Sequence, residues 1–167
     1  MKQKWVDLSA ALKAARVYHE DRIAPQTLQK RFHSGHAAMR ETSEVFGSRT
    51  IKAFGALWPT WRPDCWEVGT LFVRPEYRGN GLLPEIMDEL MRRAPNGSSL
   101  FFITKEERIM KLAPEYGFVR VSGTTYPNIL RWASQRGLVC RLPKSVYKVG
   151  WPSPEPRERW LFMREGR

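Results

Sequence analysis

The 167-residue chain has no run of about 18 apolar residues, which argues against a membrane-spanning helix. Its N-terminus, MKQKWVDLSAALKAARVY, is interrupted by Asp7, Lys13 and Arg16 and so lacks a signal-peptide core. Cytoplasmic residence is the expectation. Cysteine is scarce: Cys65 and Cys140 form no CxxC pair, which argues for reduced thiols over a disulfide scaffold. Histidine is scarce too. His33 and His36 are spaced to share a helix face, but no third ligand type lies nearby, so solvated histidines are expected and no metal site. Internal repeats and low-complexity segments are absent.

Acidic residues are the most telling shortage. Seventeen Asp and Glu face 28 Lys and Arg, giving a net charge of +11, and not one acid falls between Tyr116 and Pro154. A field of that sign favours polyanionic partners: nucleic acid, acidic protein segments, an anionic membrane surface or a phosphorylated cofactor. With 42% hydrophobic and 27% charged residues, the composition is that of one compact soluble domain able to bury a real core.

Periodicity gives the elements. Val6, Leu8, Ala11, Leu12 and Ala15 predict an amphipathic helix to about Tyr18, and Pro25 opens a second over Gln26 to His33. A strand is expected over Thr50 to Trp58, ending at Pro59. Trp66 to Val73, apolar on both faces except at Glu67, is expected to be a buried central strand. The turn Arg74-Pro75-Glu76-Tyr77-Arg78-Gly79-Asn80-Gly81 follows. A helix then places Leu83, Ile86, Met87, Leu90 and Met91 on one face, with acids early and Arg92 and Arg93 late, as the helix dipole favours. Further expectations are a strand over Ser99 to Thr104, a helix near Lys105 to Ala113, a strand over Val119 to Ser122 and a helix over Pro127 to Gln135. An irregular stretch, Pro143 to Pro156, and a closing strand, Trp160 to Met163, complete the chain. Alternating strands and helices imply an α/β or α+β sheet domain with at least one crossover.

A glycine turn between a strand and a helix start is an anion site. Its backbone N–H groups lack intrahelical partners, and its glycines permit positive φ and close approach by a phosphate. Arg78 adds a cation. The segment V-R-P-E-Y-R-G-N-G-L-L-P-E-I-M resembles the coenzyme A signature Q/R-x-x-G-x-G/A of the GNAT N-acetyltransferase superfamily. Arg78, Gly79, Asn80, Gly81, Leu82 and Leu83 fall on its six positions, and Leu83 departs from the expected Gly or Ala. The superfamily's second block, with a Gly-Phe before a strand, is matched over Leu100 to Val121 by Gly117-Phe118.

The resemblance implies a GNAT-like mixed central sheet flanked by helices, in a single domain over residues 1–167. Its cofactor core would span about 65–121, followed by a basic segment over 122–167. It further implies acetyl-CoA as co-substrate, its pantetheine arm paired with the backbone of Leu71, Phe72 and Val73 and its pyrophosphate held by Arg78 to Leu83. Glu67 falls where several protein-acetylating members carry a glutamate base, which would neutralise an amine of pKa near ~10.4. The alternative for Glu67 is a strand-end carboxylate reaching solvent beside Asp64. The tyrosine that often protonates the departing thiolate is replaced by Ala113, and Tyr116 is the nearest substitute, with packing as its other role. A backbone N–H near Phe72 or Val73 would meet the oxyanion.

For the acceptor, Arg120, Arg131, Arg136, Arg141, Lys144 and Lys148 interleave with Tyr126, Trp132, Tyr147 and Trp151, a pattern that suits nucleic acid. The same residues also suit a core, the cofactor's own phosphates or simple solubility. Two functions remain open. One is an N-acyltransferase acting on a protein, peptide or RNA-linked amine in preference to a cationic polyamine. The other is a degenerate GNAT-like module that senses acyl-CoA or binds nucleic acid.

Overall fold

The computed structural model describes residues 3–15, 20–43, 49–60, 62–104, 106–121 and 160–166. They divide into two compact units: Met1–Phe101 with Glu165–Arg167, and Phe102–Arg164.

The first unit begins with three helices, α1 (Gln3–Ala14), α2 (Glu20–Ile23) and α3 (Pro25–His33). Trp5, Leu8 and Leu12 recur at helical spacing and are all buried, so α1 turns one face to the core. Pro25 opens α3, where a missing N–H costs nothing, and Leu28 is its buried anchor. Strands β1 (Ala37–Glu41), β2 (Ile51–Pro59) and β3 (Cys65–Val73) form an antiparallel run. Helix α4 (Leu82–Arg93) then crosses over to β4 (Ser99–Thr104), whose start pairs in parallel with β3 from Cys65 opposite Ser99 to Glu67 opposite Phe101.

Helices cover both faces of β2. Trp5, Leu8, Leu12, Ile23 and Leu28 join Ile51, Phe54, Ala56, Trp58 and Phe72 in one apolar cluster. On the other face, α4 buries Ile86, Met87 and Leu90. It comes so close that a Cβ on Gly55 would stand 2.6 Å from Ile86 Cγ2 and 2.9 Å from Leu90 Cδ1. A side chain at Gly55 would therefore push α4 off the sheet.

This arrangement corrects one expectation. The helices converge on β2, where every residue from Ala53 to Trp58 is buried. In β3 only Cys65, Val68 and Phe72 are, so the sequence's apolar run is a half-buried strand. Two elements had no visible signal: α2 is a single turn, and β1 carries Arg40 and Glu41 within its five residues. The first helix stops at Ala14, short of Tyr18.

In the second unit, β4 continues through Phe102–Thr104 and is followed by α5 (Glu107–Leu112), a 3-10 turn (Ala113–Tyr116), β5 (Val119–Val121) and β6 (Trp160–Arg164). The strand order here is β4-β6-β5, with β5 and β6 antiparallel. Phe102 makes the small core, stacked on Phe162 at 5.0 Å and edge-on to Phe118 at 4.9 Å. The helix expected over Pro127 to Gln135 and the irregular stretch Pro143 to Pro156 lie outside the described residues.

Candidate active site

The end of β3 is built by a bulge. Ala56 faces Gly69 and Phe54 faces Phe72, so Thr70 and Leu71 together oppose the single residue Gly55. Thr70 has φ 55°, the one described non-glycine residue with positive φ. Its hydroxyl accepts a 3.0 Å hydrogen bond from Trp58 Nε1, which pins this conformation. Beyond the bulge, Leu71 turns toward α4, within reach of Gly55, and Phe72 enters the α1–α3 cluster. Leu71 and Phe72 thus spend their side chains on packing, and Phe72 and Val73 pair with Phe54 and Ala53 of β2 along one backbone edge, leaving the opposite edge for any ligand. The parallel ladder to β4 covers Cys65 to Glu67, and Leu71 to Val73 lie past its last rung.

A 3-10 turn (Pro75–Tyr77) leads from β3 into the glycine turn. Gly79 at φ 86° and Gly81 at φ 72° take the left-handed conformation that L side chains rarely adopt. A Cβ on either would meet nothing within 4 Å, so the turn's outer surface is open. Gly81 is the N-cap of α4 and no side chain caps the helix. The N–H groups of Leu82 and Leu83 start the helix and Pro84, third in line, has none, which leaves a narrow set of backbone donors there. Both leucines are half-buried, while Gly79, Asn80 and Gly81 are exposed. Arg78 donates from Nε to the Val73 carbonyl at 3.3 Å, tying the turn to the strand end. Arg74 is likewise committed, to the Ile51 carbonyl at 2.8 Å.

Glu67, for which one expectation was a strand-end carboxylate reaching solvent beside Asp64, is half-buried and bonded to another partner. Asp64 is occupied by Arg62, whereas Glu67 Oε2 accepts from Arg22 Nη2 at 2.9 Å, with side-chain exposures of 12% and 2%. Sequence reading missed Arg22, because only the tertiary fold brings α2 over β3. Trp58 sits opposite Glu67 in the β2–β3 ladder, and the guanidinium carbons of Arg22 and Arg31 lie 4.8 and 5.0 Å from its ring centre. Burial, then repulsion from Arg22, lowers the Arg31 pKa.

His33 and His36 do not share a helix face: α3 ends at His33, and the Ser34-Gly35 turn carries His36 out to stack on Trp66 at 4.9 Å. Burial and the charge of Arg31 lower the His36 pKa. Among the described residues no group of three His, Cys, Asp or Glu is placed to hold a metal ion, and no helix is long and apolar enough to cross a membrane. In the second unit, Tyr116 is half-buried at the end of its 3-10 turn, just before Gly117 at φ 74°. Ala113 is buried at 1% exposure.

The family model of the acetyltransferase (GNAT) family matches residues 5–118. The chain belongs to this family. Solved structures agree on the fold. An Rv2747 structure from Mycobacterium tuberculosis, in complex with CoA and NLQ, aligns with a TM-score of 0.60 at 16% identity, covering 98% of this chain and 94% of that one. A Staphylococcus aureus GNAT acetyltransferase aligns at 0.56 and 10% identity, covering 99% and 92%. N-acetylglutamate synthase from Neisseria gonorrhoeae, complexed with coenzyme A and N-acetyl-glutamate, aligns at 0.54 and 16%; the match covers 98% of this chain but 32% of that one. No curated protein matches the sequence. Among the described residues the fold is a mixed six-stranded sheet with its helices, GNAT-like as the glycine-turn resemblance implied.

Proposed function

We propose that this GNAT member transfers an acetyl group from acetyl-CoA to an amine by direct attack in a ternary complex. The observation that carries the donor half is the turn Arg78–Leu83: two left-handed glycines, an open outer surface and an uncapped helix start at the end of a strand. The pyrophosphate would sit on these N–H groups and the pantetheine along the backbone of Leu71, Phe72 and Val73. In the transfer, the amine nitrogen bonds to the thioester carbon and the C–S bond breaks. The amine proton leaves to Glu67, directly or through water, and the CoA thiolate takes a proton from solvent. The Phe72 or Val73 N–H would stabilise the oxyanion.

Glu67 suits its part because Arg22 holds one oxygen and leaves the other. Among the described residues Oε1 makes no hydrogen bond, and it lies 3.4 Å from where a Cβ on Gly69 would stand. The glycine thus leaves that flank of the carboxylate open. A polyamine acceptor is disfavoured by Arg22 and Arg31 beside it. Thermal unfolding with excess acetyl-CoA tests the donor half, and CoA release across a panel of amines, peptides and tRNA tests the transfer. No shift at millimolar acetyl-CoA would overturn the first.

A second reading, a module that binds acyl-CoA without transferring it, is favoured by one observation. Ala113, where the family resemblance places the proton donor, is a buried methyl. Nucleic-acid contact through the basic stretch belongs with that reading, and residues 122–159 of it lie outside those described.

A further inference from the structure

Around Trp58 two polar valences are left open. Trp58 is 4% exposed, and both Arg22 and Arg31 lie against its indole. Among the described residues Glu67 is the carboxylate beside these two cations, and it is bonded to Arg22. The guanidinium of Arg31, half-buried on α3, has no hydrogen bond or ion pair among the described residues. A cation partly withdrawn from water beside a second cation is costly until an anion joins it. The same cluster holds the open acceptor Glu67 Oε1, beside the bare flank of Gly69. An unmatched guanidinium and an unmatched carboxylate oxygen therefore border one aromatic wall.

We propose that this wall is the acceptor subsite and that the acceptor is a small amine that also carries a carboxylate, such as a free α-amino acid. Its amine meets Glu67 Oε1 and its carboxylate meets Arg31, the two groups that border the Trp58 indole. The inference rests on the transfer reading above and narrows its acceptor. Polyamines lack the anion, and an internal lysine of a protein carries no carboxylate beside its amine. Arg31 then sets specificity and takes no part in bond making.

The test uses the full chain, acetyl-CoA, the L-α-amino acids, their α-amides, spermidine and a peptide with a free N-terminus. CoA release is expected with one or more amino acids, with kcat/KM at least about tenfold above the matching amide, the size of one charge-assisted hydrogen bond. R31Q, and R31M as the variant that keeps apolar packing on Trp58, should raise KM for the amino acid about tenfold with kcat little changed. Neither should alter KM for the amide or the thermal shift caused by acetyl-CoA. Equal use of amide and acid, turnover of the peptide or spermidine alone, or an acid-to-amide ratio unmoved in both variants would overturn the assignment. Calorimetric binding of the amino acid, with and without CoA, separates the two claims. Loss of the acetyl-CoA shift with amino-acid binding intact sinks the donor half alone, and turnover of acetyl-CoA without carboxylate preference sinks the acceptor half alone.

Discussion

Replacing Arg22 by methionine strands a carboxylate. Glu67 is 12% exposed and its partner 2% exposed, so the pair lies largely out of water. Breaking such a pair from one side costs about 3–5 kcal/mol, because the surviving charge keeps its desolvation penalty and loses its partner. For a chain of this size each kcal/mol is about 2–4 °C of Tm, so R22M should melt roughly 6–20 °C below the parent. E67Q should lose less, about 1–2 kcal/mol, since its amide oxygen still accepts from Arg22. The double variant R22M/E67Q removes both charges and should be more stable than R22M alone. Arg22 also lies over Trp58 at 4.8 Å. That contact disappears in both R22M and the double variant, so it cancels from the coupling. Thermal and urea unfolding of the four proteins at neutral pH should give a coupling energy of at least about 1.5 kcal/mol. Additive losses, or a cost below about 1 kcal/mol for R22M, would refute the claim that Arg22 holds Glu67.

Four further outcomes are expected. Gly81→Ala forces a side chain into φ 72° with nothing to clash against. It should cost about 1–2 kcal/mol in urea unfolding and weaken acetyl-CoA binding by calorimetry. Gly69→Ala sets a methyl 3.1 Å from Trp58 Cδ1 and 3.4 Å from Glu67 Oε1, and should raise the acceptor KM more than the acetyl-CoA KM in steady-state assays. His36 has a folded pKa below the usual imidazole value. The unfolded chain then binds more protons as pH falls below about 6.5, so the His36 contribution to stability is present above that pH and fades below it. His36→Gln should flatten the Tm profile between pH 7 and 5. Cys65 is buried and its thiol is pushed up by that burial, so in a Cys140→Ser background it should resist a thiol reagent at pH 8 until urea unfolds the protein.

The turn from Arg78 to Leu83 was legible because its signal is local. Positive φ at Gly79 and Gly81, the strand before them and the amphipathic helix after them all lie within about thirty contiguous residues, where local preference and sequence order coincide. Most strands were legible for the same reason. Strand β1 was not, since Arg40 and Glu41 mask its alternation and only pairing with β2 holds it extended. A one-turn α2 falls below the length at which a helical period can be seen.

By itself, then, the sequence determined a crossover whose two left-handed glycines lead into a helix start that no side chain caps. The tertiary structure decided the rest. It converted an apolar run into a half-buried bulged strand, because the helices converge on β2 instead of β3. It took Glu67 from Asp64's neighbourhood to Arg22, 45 residues away in the chain. It also placed Arg31 against Trp58, a contact no spacing in the sequence encodes. Backbone conformation follows from neighbours in the chain, whereas the charge state and specificity of a site follow from neighbours in space.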